Sequence, residues 1–96
     1  MRYHPLHHKK TSHDKRRLLI GDIFGWIGAV LILGAYFLIS LDIIAAHTYL
    51  YQILNIAGAG GLLVLGISRK AYPSVATNTA WILIGIFAIA SLMFSI

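Results

Sequence analysis

The chain has 96 residues, 58% of them apolar and 11% charged, with no cysteine, a net charge of +5 and a mean hydropathy of +0.78. A soluble domain is about one-quarter charged, and here the charges are bunched: residues 1–17 carry six Lys/Arg against one Asp, and the rest of the chain holds only Asp22, Asp42, Arg69 and Lys70. This excludes a soluble enzyme domain, a zinc-ribbon module, a disulfide scaffold and a disordered chain, and leaves a small integral membrane protein.

Residues 1–17, MRYHPLHHKKTSHDKRR, read as a basic, His-rich, flexible cytoplasmic tail. His4, His7, His8 and His13 lie close to Asp14, and neutral imidazoles suit Zn, Ni or Cu. Their spacing matches no site of defined geometry, so no metal is assigned. Lys9, Lys10, Lys15, Arg16 and Arg17 are expected to face anionic lipid, each cation contributing about 1 kcal/mol near a membrane surface. A tail offers no folded basic face, so no nucleic-acid partner is expected.

Residues 18–96 form the second unit, a three-helix transmembrane domain. A crossing helix needs roughly 20 mostly apolar residues. The first is placed at about 20–41, and its apolar run is too long for a signal-peptide core. Asp42 to about His47 forms a turn. The second helix follows at about 48–68, Arg69 to Ala71 form a second turn, and the third helix runs at about 72–95 with Pro73 in its first turn, where a missing N–H is harmless. The runs are continuously apolar and too few to close a barrel, so the fold class is all-α. The Lys/Arg of the tail and of the second loop put the N-terminus in the cytoplasm and the C-terminus outside.

Chemistry in such a chain lies in the polar groups at membrane depth. Helical spacing places Gly25, Gly28 or Ala29, Ile32 and Tyr36 on one stripe of the first helix. Gln52, Asn55 or Ile56, and Ala59 share a stripe of the second. Ser74, Asn78, Trp81 and Gly85 share a stripe of the third. An unpaired amide in hydrocarbon costs several kcal/mol, about as much as a buried hydrogen bond contributes in isolation. Asn55 and Asn78 must therefore meet each other, another helix or a polar cavity. As helix glue they stabilise by about 0.6 kcal/mol per bond; as cavity walls, with Gln52, Trp81 and Tyr36, they bind a solute. Gly25, Gly28, Gly58 and Gly61 are expected to let helix backbones approach closely.

Catalysis has no foothold. There is no paired carboxylate at depth, no G-x-S-x-G, no H-E-x-x-H and no phosphate loop. His47 and Asp42 read as a solvated loop pair. We expect neither an enzyme nor a cofactor.

Gly25-Trp26-Ile27-Gly28-Ala29 with Ala35-Tyr36-Phe37-Leu38, then Tyr51-Gln52-x-x-Asn55-x-x-Gly58-Ala59, then Tyr72-Pro73-Ser74-x-x-x-Asn78-x-x-Trp81, together resemble the CBU-type family of small, uncharacterised bacterial inner-membrane proteins. That family in turn resembles the three-helix unit of the PQ-loop proteins, which include the SemiSWEET sugar transporters. Where those carry a Pro-Gln hinge, this chain has Ala35-Tyr36. The resemblance implies a compact triple-helix bundle with the third helix packed between the first two. It also implies a parallel homodimer around a central path, and a pocket near mid-membrane using Trp81 and Asn78, with Asn55 as a second candidate. Independently, three helices enclose no useful channel, and a three-helix chain builds two facing repeats only by pairing with a copy of itself.

Two functions follow as expectations. The first is a transporter-like homodimer in the bacterial inner membrane that lets a small neutral solute cross passively, held by Asn78, Asn55, Gln52, Trp81 and Tyr36. The alternative is a small accessory subunit of a larger membrane complex with no transport activity of its own.

Overall fold

The computed structural model describes residues 11–94, all within three helices and their short connections: α1 (Ser12–Ser40), α2 (Tyr49–Ser68) and α3 (Tyr72–Phe94). Each is long and apolar enough to cross a membrane, and the described residues contain no strand. The sequence places the second and third helices at about 48–68 and 72–95. The larger difference is in α1, which begins eight residues before the expected 20.

Local chemistry explains the early start. The Thr11 hydroxyl accepts the Asp14 N–H at 3.1 Å, capping the helix, and Asp14 lies in the first turn, where the helix dipole favours a negative charge. Lys15, Arg16 and Arg17 are good helix formers, and no glycine or proline intervenes before Gly21. Hydropathy marks the edge of the membrane, and the helix does not stop there. Lys15, Arg16 and Arg17 therefore lie on helical backbone; Lys9, Lys10, His4, His7 and His8 lie outside the described residues.

Thr48 caps α2, its hydroxyl accepting the Tyr51 N–H at 3.3 Å. Both turns close in the same way. Ile43 N–H donates to Leu38 C=O at 2.9 Å and Asp42 N–H to Ile39 C=O at 3.1 Å. Ala71 N–H donates to Gly66 C=O at 2.9 Å and Lys70 N–H to Ile67 C=O at 3.2 Å. These are Schellman closures, which place one residue in the left-handed region. Here Asp42 (φ 59°) and Lys70 (φ 55°) occupy it in place of glycine.

The packing order differs from the expected bundle. α2 packs against both neighbours, while no Cα of α1 lies within 8 Å of a Cα of α3. The third helix therefore does not sit between the first two; α2 is the central helix. The reason is the glycine stripe. Gly21, Gly25, Gly28 and Ala35 are the buried residues of α1; Gly21 meets Leu65 and Ser68 of α2, Gly25 meets Leu65, and Gly28 meets Gly58 and Gly61. A Cβ on Gly28 would stand 2.9 Å from the Leu62 amide nitrogen, and one on Gly58 would stand 2.8 Å from the Gly28 carbonyl oxygen. A Cβ on Gly61 would meet the Phe24 carbonyl oxygen. Only glycine permits backbone contact this close, and this contact occupies the α1 face that a third helix would otherwise share.

At the end of this seam Arg69 clamps Asp22. Its Nη2 donates to Oδ2 at 2.7 Å and to Oδ1 at 2.9 Å, and its Nε to Oδ1 at 3.2 Å. Both side chains are partly exposed, so the pair stabilises by about 0.2–1 kcal/mol and serves chiefly to set the axial register of α1 on α2.

Candidate functional site

The second face of α2 meets α3. Gly85 is the buried residue of α3, and a Cβ there would stand 2.6 Å from Ile56 Cγ1. Nearer the other end, Gly66 packs against Val75 and Ser74. Beside the Gly85–Ile56 contact, toward the Tyr49 end of α2, lies a cavity of about 160 Å³ lined by Tyr51, Gln52, Asn55, Trp81, Ile84 and Gly85. Asn55 is six residues, roughly 9 Å, into α2 and Trp81 is nine residues, roughly 14 Å, into α3. The cavity therefore lies from mid-span toward the Tyr49 end.

Three of its polar side-chain groups are held by hydrogen bonds. Trp81 Nε1 donates to Asn55 Oδ1 at 3.2 Å, and Asn55 Nδ2 donates to Tyr51 C=O at 2.8 Å. Asn55 is only 4% exposed, so both halves of its amide are satisfied out of water. Gln52 Nε2 donates to Ala46 C=O at 3.3 Å, leaving its oxygen 3.7 Å from where a Gly85 Cβ would be. Among the described residues no buried side-chain nitrogen or oxygen lacks a partner.

Of the five residues proposed to hold a solute, the structure brings Gln52, Asn55 and Trp81 to this one cavity. Asn78 shares their stripe on α3 but turns back on its own helix, its Nδ2 donating to Ser74 C=O at 2.9 Å and Ser74 Oγ at 3.2 Å. Tyr36 is on the wrong side of its helix. Steps from Gly21 through Gly25, Gly28 and Ile32 lead to Ala35, which is fully buried, and leave Tyr36 64% exposed. Gly25, Gly28, Gly58 and Gly61 all lie on the α1–α2 seam. Tyr51, Ile84 and Gly85 complete the cavity; the spacing Gln52, Asn55, Ile56 and Trp81, Gly85 was the signal available for them.

The cavity wall holds no carboxylate, lysine, arginine or histidine; it is built from the Tyr51 phenol, the Trp81 indole, the Gln52 and Asn55 amides, Ile84 and Gly85. Water occupies about 30 Å³ in the liquid, so the space is that of about five waters. A family model matches the chain over residues 21–95, from the first seam glycine through all of α3. No curated protein and no solved structure matches it.

Proposed function

The chain belongs to the CBU-type family, and from that premise we propose that it is a transporter-like membrane protein through which a small neutral solute crosses passively. The observation that carries the reading is the convergence of Gln52, Asn55 and Trp81 on one cavity at membrane depth. A homodimer is part of the proposal. One protomer offers only a half-open cleft of about 160 Å³, less than the ~300–1,000 Å³ usual for a ligand site, and a second copy facing the open side of α3 closes and enlarges it. The absence of a carboxylate in the cavity wall favours facilitated movement over proton coupling. In this reading the chain is not an enzyme. It lies in the bacterial inner membrane, with Lys15 to Arg17, Arg69 and Lys70 cytoplasmic and the C-terminus outside.

The test is solute entry into proteoliposomes, followed by light scattering with glycerol and urea. Entry faster than into protein-free liposomes, slowed at least severalfold by Gln52→Leu, supports the reading. Equal rates with and without protein remove it.

A second reading, the accessory subunit, is favoured by Asn55, whose amide is fully satisfied and is tied to Trp81 across the α2–α3 contact, which suits helix glue. Here α3, whose Leu83, Ile84 and Phe87 are exposed, docks on a larger membrane protein. It predicts one stoichiometric partner on gentle purification.

A further inference from the structure

At the Arg69 end of the seam, α1 outruns α2. Gly21 is level with Ser68, the last residue of α2, so residues 12–20 of α1 overhang by about 13 Å. In the corner below this overhang lies a groove of about 490 Å³. Its floor is apolar, with Ile20 on α1 and Val64 and Ile67 on α2; its rim is His13, Arg16 and Arg17. On α1 these residues follow steps of three, one and three, one face of the helix. Arg17 reaches Asp14 only at 3.9 Å, and among the described residues no carboxylate stands within 4.0 Å of Arg16.

We propose that this groove is a binding site for an anionic phospholipid. The phosphate sits between Arg16 and Arg17, and an acyl chain lies on Ile20, Val64 and Ile67. Three observations select this occupant. The apolar floor meets the cationic rim where the hydrophobic stretch of α1 gives way to charge, which is where a headgroup joins its chains. Two guanidiniums one turn above an apolar floor complement a phosphodiester, which accepts forked hydrogen bonds. The volume is that of a small-molecule site and exceeds what a headgroup alone fills. The proposal rests on the chain lying in a bilayer and is independent of transport.

The test uses the full chain, purified in detergent, stripped of lipid and analysed by native mass spectrometry with added dioleoyl phosphatidylglycerol or dioleoyl phosphatidylcholine. One phosphatidylglycerol is expected per protomer, retained about tenfold better than phosphatidylcholine, the scale of one charge-assisted contact. Arg16→Gln should weaken retention about tenfold. Lys15→Gln removes the same charge from a residue outside the groove and should change it much less. Val64→Trp should expel the lipid by filling the floor, with circular dichroism confirming that the helices persist. Equal retention of the two lipids overturns the proposal. Equal losses for Arg16→Gln and Lys15→Gln overturn it in favour of diffuse surface charge. Displacement by glycerol 3-phosphate at the concentration of the lipid overturns it in favour of a headgroup-only site. Loss of a dimer in Val64→Trp with lipid retained would put a second copy in the groove instead.

Discussion

The indole of Trp81 donates to the side-chain oxygen of Asn55 across the α2–α3 contact, at 3.2 Å, while the Asn55 amide donates along its own helix to Tyr51. One residue thus supplies both a cavity wall and a helix tie. In a bilayer the tie has a modest value, because an unfolded helix in lipid also finds partners for its polar groups.

Asn55→Ala and Trp81→Phe should each lower stability, and a double-mutant cycle should give a coupling of about 0.6 kcal/mol, with an upper bound near 1.7. The measurement is unfolding by sodium dodecyl sulfate in mixed micelles, followed by far-ultraviolet circular dichroism. A coupling of zero would mean the hydrogen bond adds nothing to the α2–α3 contact.

The seam separates two kinds of glycine. Gly28→Ala forces a methyl against the Gly58 carbonyl and the Leu62 amide, so it should destabilise by about 1–3 kcal/mol as α1 and α2 part. Gly34 has open space around it, and Gly34→Ala should stabilise by up to about 1 kcal/mol through helix propensity alone. The same unfolding measurement checks both, and opposite signs are the expected outcome.

Lys70 adopts a left-handed conformation that costs an L-residue about 1–2 kcal/mol. Lys70→Gly should therefore raise stability by about 1 kcal/mol. Asp42→Gly at the equivalent position of α1 should yield less, since aspartate visits this region more readily. Thermal unfolding of the two variants beside the parent gives the ranking.

Asp14 stands in the overhang, outside the membrane span, and the hydrogen bonds from the Thr11 side chain and backbone hold its carboxyl below the usual value of 3.8, with Arg17 adding a weaker pull. A lowered native pKa stabilises the charged form of the folded state. The first turn of α1 should thus be fully stabilised above pH 3.8 and should lose that support as pH falls through the lower native value. Carbon chemical shifts of residues 12–16 in micelles report this fraying. Thr11→Val should move the Asp14 titration back up.

Legibility differed from residue to residue. The stripe Ser74, Asn78, Trp81, Gly85 is the face of α3 that meets α2, and it was readable because a polar residue in lipid must turn inward. Spacing could not say that Asn78 would satisfy itself on Ser74 while Trp81 reached across to Asn55; an amide four residues after a carbonyl has both choices. Tyr36 fell on the wrong side because one step of four in place of three swings a residue by about 100° about the helix axis. The T-x-x-D pattern of Thr11 and Asp14 was present as a capping signal, but it stood inside a segment whose polarity read as tail.

Sequence alone determined that there are three helices long and apolar enough to span a bilayer, and where two of them begin and end. Solubility in hydrocarbon is a property of composition along the chain, and composition can be read without a partner. Tertiary structure decided which helix stands in the middle, which carboxylate Arg69 clamps, and which three of five polar candidates share a cavity. In lipid every apolar face is equally content outside, so hydrophobic pattern does not choose neighbours. The choice falls to close backbone contact at Gly28, Gly58 and Gly61, and such contact exists only once two helices are laid side by side in register.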